Sequence, residues 1–168
     1  MSFVRSSDPG VRRYGVLGLG NLAVVTQNHQ TLFEAGGVSS LLMEAVYAAE
    51  DIETRRCVAF ALNNITSFEP NHRACERAGV LRPLVRLLKD PDANTHLQAV
   101  FAIRQLSVTA RCRSQLVEMK GLPPLLRQGF RGGRAGKGTS TSEYFGVLRP
   151  RVLHVVDSRR EKRHPLLA

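Results

Sequence analysis

The sequence predicts an all-α protein built from stacked helical repeats. Three stretches align with one another: GVLGLGNLAV at 15–24, VAFALNNITS at 58–67 and AVFAIRQLSV at 99–108. Their starts are 43 and then 41 residues apart, and self-similarity at such a period is typical of helical solenoids. Each stretch also carries small or aliphatic residues at i, i+3, i+4 and i+7, the stripe of an amphipathic helix.

The stripe fixes which residues are expected to face the core. Its members are Val58, Ala61, Leu62 and Ile65 in the second copy, Gly15, Gly18, Leu19 and Leu22 in the first, and Ala99, Ala102, Ile103 and Leu106 in the third. Small residues early in the stripe would let neighbouring helices approach closely. The interior is therefore expected to be aliphatic, in keeping with 6% aromatic residues and no Trp.

The same register continues outside these stretches. At the first offset the matching pairs are Arg13 with Arg56, Asn28-His29 with Asn71-His72, and Ala35-Gly36 with Ala78-Gly79; at the second they are Phe60 with Phe101 and Pro83-Leu84 with Pro124-Leu125. A register held over about 30 residues per copy is not a chance match. The repeat is therefore a structural unit longer than one helix.

Each unit divides into three segments, and the long first segment carries the helical stripe. In the second copy these are DIETRRCVAFALNNIT at 51–66, EPNHRACERAG at 69–79 and VLRPLVRLLKD at 80–90. Asp51 and Asp92 lie near starts of long helices, where a carboxylate can cap free N–H groups. The breaks between short helices are marked by Gly36-Gly37, Gly79 and Gly121, and Pro83 and Pro124 fall in first turns.

These three segments resemble the third, first and second helices of an armadillo repeat, in that order along the chain. The resemblance covers residues 8–128, about three quarters of the sequence, and is nearest in character to catenin, importin-α and vacuolar armadillo proteins. It implies a right-handed α-solenoid with two complete repeats, 28–66 and 70–107, and a partial repeat at each end. Because no polar cap is evident, we expect a piece of a longer repeat array.

The resemblance also implies a peptide-binding groove along the third helices. In armadillo proteins an asparagine at the position of Asn21 and Asn64 hydrogen-bonds the backbone of an extended peptide, and Gln105 is the longer equivalent in the third copy. An amide suits this role because it both donates and accepts. The alternative is that these amides only stabilise the scaffold. Asn63 is expected to point toward solvent or a helix end.

Four residues before each amide lie Leu17, Phe60 and Phe101, and eight before lie Arg13 and Arg56. Importin-type grooves carry Trp where this chain has Leu or Phe, so a receptor for nuclear-localisation signals is disfavoured. The two arginines would make the groove positive and suit a partly acidic partner. The alternatives left open are that the arginines are ordinary solvated residues and that Phe60 and Phe101 belong to the core.

Residues 129–168 are expected to form a basic C-terminal tail of low order. Residues 130–168 hold 9 Lys and Arg against 3 Asp and Glu, a net +6 of the chain's +10. FRGGRAGKGTSTSE at 130–143 is typical of a flexible segment. The basic run RREKRHP at 159–165 could bind nucleic acid or an anionic membrane, but a solvated tail is favoured. A purely structural spacer is the third reading.

Nothing in the sequence predicts an enzyme or a cofactor. GRAGKGT at 133–139 lacks the first Gly and the Ser or Thr of a phosphate loop. His72 and Cys75 lack the second pair of ligands that zinc requires. Three widely spaced cysteines indicate a reducing compartment, so we expect the cytoplasm, with the nucleus possible. No apolar run is long enough to cross a membrane.

Overall fold

In the computed structural model, the structure describes residues 3–41 and 51–125, and these contain helices and no strand. The chain divides into two compact units, residues 1–106 and 107–168. The first unit contains α1 (Pro9–Leu22), α2 (His29–Glu34), α3 (Ile52–Ser67), α4 (His72–Ala78), α5 (Leu81–Leu87) and α6 (Ala93–Leu106), with 3₁₀ turns at Phe3–Arg5, Thr26–Asn28 and Glu69–Asn71. The second contains α7 (Ala110–Glu118).

The order of these helices confirms the predicted repeat. Helices α1, α3 and α6 are the three long third helices, and α2 and α4 are the short first helices of the two complete repeats. Residues 37–41 and 122–125 are also helical, where second helices were expected. The predicted domain boundary at 128, and with it the tail, lies outside the described residues.

An aspartate precedes each long helix and caps its first turn. Asp8 accepts from the Val11 backbone N–H at 3.0 Å, and Asp51 accepts from the N–H groups of Glu53 and Thr54 at 3.1 and 3.3 Å. Asp92 accepts from the Thr95 N–H and hydroxyl, both at 2.8 Å. The prediction for Asp51 and Asp92 is confirmed, and Asp8 completes the series one repeat earlier.

The third helices pack side by side, with α3 in contact with both α1 and α6. The predicted stripe of α3 is fully buried, and so is that of α6 apart from 1% exposure at Leu106. In α1 the prediction is wrong for Gly18 and Leu22, because Gly18 is exposed and Leu22 is 50% exposed. Among the described residues, α1 has a third helix on one side only.

The recurring Asn-His pair closes the C-terminal ends of the third helices. His29 Nε2 donates to the carbonyl of Ala23 at 2.8 Å, and His72 Nε2 donates to that of Thr66 at 2.9 Å. Asn71 donates to the Ile65 carbonyl at 2.8 Å and to His29 Nδ1 at 2.6 Å. The pair therefore satisfies free carbonyl groups and also ties one repeat to the next.

After each first helix the chain turns through a residue in the left-handed backbone conformation, with positive φ. Gly36 and Gly79 have φ of 75° and 74°, a conformation that costs glycine little. The equivalent position after α7 is held by Lys120, with φ of 53°. The predicted Gly121 lies one residue further on, and its N–H donates to the Leu116 carbonyl at 2.9 Å.

Candidate functional site

The three long helices place the predicted site residues at equivalent positions. We use the name third-helix surface for Arg13, Leu17 and Asn21 of α1, Arg56, Phe60 and Asn64 of α3, and Phe101 and Gln105 of α6. Within each helix these residues are spaced by four, so they follow one face. Because α3 packs between α1 and α6, the three lines lie beside one another.

The three amides of this surface differ in their surroundings. Asn21 is exposed, and its side chain has no hydrogen-bond partner among the described residues. Asn64 is half-buried, and its Nδ2 is shielded from solvent without a partner in the described part of the chain. The Oε1 of Gln105 accepts from the Thr66 hydroxyl at 2.8 Å. Within the described residues, the Asn21 side chain and the Nδ2 of Asn64 therefore have no hydrogen-bond partner.

The neighbouring Asn63 does not point toward solvent or a helix end, so that prediction is wrong. Its Nδ2 donates to Gln98 Oε1 of α6 at 2.7 Å, and its Oδ1 is shielded without a partner among the described residues. One position along a helix turns a side chain by about 100°. This turn places Asn63 between α3 and α6 and separates its role from that of Asn64.

The apolar members of the surface are partly accessible. Phe60 is 37% exposed and Leu17 is 38% exposed, whereas Phe101 is half-buried. Phe60 leans toward α1, since its Cδ1 lies 3.5 Å from where a Cβ on Gly20 would stand. These partly accessible side chains lie four residues before the amides on the same helix faces, whereas the stripe of α3 is fully buried.

Arg56 is held by carboxylates of two repeats. Its Nε and NH2 donate to Asp92 at 3.1 and 2.7 Å, and its NH1 donates to Glu53 at 2.7 Å. The Arg56 hydrogen bond holds the pKa of Asp92 well below its usual range, aided by the capping N–H of Thr95. Arg56 has five N–H donors and uses three here, so two remain for a ligand.

Arg13 occupies the same position one repeat earlier and is less constrained. Its guanidinium carbon lies 5.3 Å from the centre of the Tyr14 ring, within range of a cation–π contact. It forms no ion pair within the described residues. The pKa of Asp51 is lowered chiefly by the Thr54 hydroxyl and only weakly by Arg13. Arg13 is thus the more available cation of the surface.

The cysteines of the described residues are partly or fully buried. Burial raises the pKa of the Cys57 thiol, with further contributions from Glu53 and Asp51, so the reactive thiolate is disfavoured. Cys75 and Cys112 are buried. Across residues 3–41 and 51–125 no cluster of three metal-ligating side chains occurs. No helix in the same ranges is long and apolar enough to cross a membrane.

The chain is similar to designed armadillo repeat proteins of known structure. One, in complex with the peptide (KR)4, shares 22% identity with a TM-score of 0.72, over 90% of this chain and 62% of that protein. A second, computationally designed for modular peptide recognition, shares 27% identity with a TM-score of 0.67, over 75% and 53%. A third designed armadillo repeat protein shares 21% identity with a TM-score of 0.74, and the match covers 90% of this chain and 62% of that protein.

These similarities show that the protein has an armadillo-repeat fold, an all-α solenoid as the sequence predicted. The chain spans between 53% and 62% of the length of these three designed proteins. No protein-family model and no curated protein sequence matches it.

Proposed function

We propose that the protein is a non-enzymatic interaction scaffold that binds an extended peptide along the third-helix surface, the concave side of armadillo solenoids. The observation that carries this proposal is the Nδ2 of Asn64, a shielded donor without a partner among the described residues. A buried amide left unpaired is costly, and a ligand carbonyl would satisfy it. Two designed proteins of similar fold support the same interpretation, since one is in complex with a peptide and the other was designed for modular peptide recognition.

The spacing of the amides suits a peptide backbone. Helix axes in contact lie about 8–10 Å apart, while an extended chain advances about 3.3 Å per residue. Successive amides would therefore meet main-chain groups about two or three residues apart. Asn21 and Asn64 would each donate to a carbonyl and accept from an N–H group. Gln105 would contribute its amide nitrogen, because its oxygen already accepts from Thr66.

Selection of the peptide's side chains would come from the neighbouring lines. Apolar contact surface for the peptide would come from Leu17, Phe60 and Phe101, which are partly exposed. Arg13 would provide a cation for an acidic side chain. Arg56 would assist through its two remaining donors. The basic (KR)4 peptide of the designed neighbour is not the expected ligand here, because Arg13 and Arg56 would repel it. We therefore propose a partly acidic, extended partner.

A peptide-binding assay tests this function. Extended peptides of equal length that are acidic, neutral or basic are titrated against the full chain by fluorescence polarisation. Binding should favour the acidic peptide, weaken about tenfold in Asn64→Ala because two hydrogen bonds are lost, and lose its acidic preference in Arg13→Ala. Arg73→Ala is the charge-matched control, since Arg73 is exposed on α4. Equal affinity in Asn64→Ala would reject the groove.

The second candidate is a structural spacer within a longer repeat array. It is favoured by the hydrogen bond from Thr66 to Gln105 and by the ion pair of Arg56 with Asp92, because both use surface residues to join repeats. A spacer would bind none of the peptides above. The third candidate, binding of nucleic acid or anionic membranes by the tail, concerns residues outside the described ranges. Salt-dependent heparin retention that is lost on deleting 130–168 would favour it.

A further inference from the structure

The second complete repeat carries a row of exposed cations along α5. Arg82 and Arg86 lie one turn apart on this helix, and Lys89 follows two residues after its end, so the three positions continue at helical spacing. All three side chains are exposed. The other side of α5 is apolar and buried, and the helix packs against α6. The row therefore lies on the outer side of α5.

The preceding helix α4 adds two cations, Arg73 and Arg77, which are also one turn apart and exposed. We use the name basic repeat surface for Arg73, Arg77, Arg82, Arg86 and Lys89. No side chain of this surface has a hydrogen bond or an ion pair with another described residue. Within residues 72–89 the one carboxylate is that of Glu76, which is half-buried, and the adjacent Asp90 already pairs with Arg55. The positive charge of the surface is therefore available to another molecule.

The excess positive charge of the repeat segment is confined to these two helices. Residues 72–89 contain five Lys and Arg against one Glu, whereas the rest of 1–129 contains ten basic and ten acidic residues. Such a concentration of one sign on one side of a helix raises the local concentration of anions and speeds their association.

The repeat architecture itself does not require cations at these positions. One repeat earlier the equivalent residues are Gln30, Glu34, Ser39, Met43 and Val46, and one repeat later they are Ser114, Glu118, Pro123, Arg127 and Phe130. One of these ten residues is basic. The basic repeat surface is thus a feature of a single repeat rather than of the fold.

The side chains around the cations determine which polyanion fits. Residues 72–89, all of which the structure describes, contain no aromatic side chain and no large apolar side chain that is exposed. Protein interfaces are built around apolar and aromatic anchors, and helices that lie on membranes insert apolar side chains. Single-stranded nucleic acids stack their bases on aromatic rings. The phosphate backbone of a duplex requires only cations, and four of these five are arginines, whose planar fork matches a phosphate.

We propose that the basic repeat surface binds the phosphate backbone of a double-stranded nucleic acid, independently of base sequence. At about 1.5 Å per residue the row from Arg82 to Lys89 extends about 10 Å, and a duplex strand presents a phosphate about every 3.4 Å along its axis. The row therefore covers about three phosphates of one strand. The surface shares no residue with the third-helix surface, so this binding does not depend on the proposed peptide function.

Salt titration of duplex binding tests this inference. A DNA duplex of about 20 base pairs and random sequence is titrated against the full chain by fluorescence polarisation, between about 50 and 200 mM salt. Each phosphate contact contributes about 0.9 to the slope of log affinity against log salt. The double variant Arg82→Gln/Lys89→Gln should therefore reduce the magnitude of that slope by about 2 and weaken binding at least about tenfold at the lower salt concentration. Residues 130–168 are present in every variant, so their charge contributes equally to all.

The matched control is Arg111→Gln/Lys120→Gln, which removes one exposed Arg and one exposed Lys from the second unit. It should change the slope by less than about 0.5, and circular dichroism should show the same helicity in both double variants. Equal losses in the two double variants, or an unchanged slope in Arg82→Gln/Lys89→Gln, would overturn the proposal. So would a test variant that keeps duplex binding but loses binding to phosphatidylserine vesicles or to a polyglutamate peptide, because the surface would then recognise a membrane or a protein.

Discussion

Arg56 of α3 and Asp92 before α6 form a two-point ion pair between successive repeats, with nitrogen–oxygen distances of 3.1 and 2.7 Å. Asp92 also caps the first turn of α6 through Thr95. A single carboxylate thus starts one helix and holds the preceding one. Arg55 makes a parallel contact, since its Nε donates to Asp90 at 2.5 Å. The two adjacent arginines therefore set how α3 lies against the start of α6.

Removing the Asp92 carboxylate tests how much this contact between repeats contributes to stability. Asp92→Ala should lower the free energy of unfolding by about 1–2 kcal/mol from the lost helix cap alone, with the broken ion pair adding to it. Asp92→Asn is the matched control, because it keeps one capping oxygen but loses the charge and the second oxygen that accepts from Arg56. Urea denaturation of both variants gives the comparison. If alanine and asparagine destabilise equally, the contact with Arg56 rather than the cap is responsible for the effect.

Repeat periodicity predicted the helices well because it depends on local sequence. The caps at Asp51 and Asp92 and the buried stripe of α3 follow from spacing within one helix, and each is present. The partners that Arg56, Asn63 and Asn71 have in other repeats, which are Asp92, Gln98 and His29, were not predicted. Each lies in a different helix or turn, at a distance set by how the repeats stack. Spacing within one repeat carries no information on that distance.

The candidate site shows the same limit. Position alone placed Asn21, Asn64 and Gln105 on one face of their helices, as the repeat requires. It could not show that Gln105 bonds Thr66 or that Arg56 is already paired, because these contacts depend on side-chain reach across repeats. The exposure of Leu22 was missed for a related reason. A repeat pattern assumes neighbours on both sides, and α1 has one among the described residues.

His96 should make stability depend on pH near neutrality. Burial lowers its pKa, Nδ1 donates to the Leu88 carbonyl at 2.9 Å, and Nε2 has no partner within the described residues. Because the folded pKa lies below the unfolded value of 6.5, the unfolded state binds the proton more readily. Stability should therefore fall as pH drops through and below ~6.5.

The matched variant is His96→Asn, whose amide nitrogen can replace Nδ1 as the donor to Leu88 and does not titrate. Thermal unfolding between about pH 5 and 7.5 should show a shallower pH dependence in this variant than in the unaltered protein. Identical pH profiles for the two proteins would assign the dependence to other groups.

Lys120 should be replaceable with a gain in stability. It adopts a left-handed conformation, φ of 53°, where the two earlier repeats have Gly36 and Gly79. A side chain in this region costs about 1–2 kcal/mol, partly offset by the greater freedom of glycine in the unfolded chain. Lys120→Gly should therefore stabilise the protein by ~0.5–1 kcal/mol, measured by urea denaturation. Lys120→Ala keeps the strain and should give no gain.

Asn71 should be among the most sensitive polar residues of the first unit. It is 8% exposed, and its amide donates to both the Ile65 carbonyl and His29 Nδ1. Asn71→Ala leaves these two buried acceptors unpaired, which costs about 1–3 kcal/mol. The chain supplies its own control in Asn28, the same residue one repeat earlier. Among the described residues its side chain donates only to the Leu22 carbonyl, at 3.1 Å in an exposed setting. Asn28→Ala should therefore change the free energy of unfolding by less than ~1 kcal/mol. Equal losses in the two variants would show that the bond to His29 contributes nothing and that the asparagines act only as local caps.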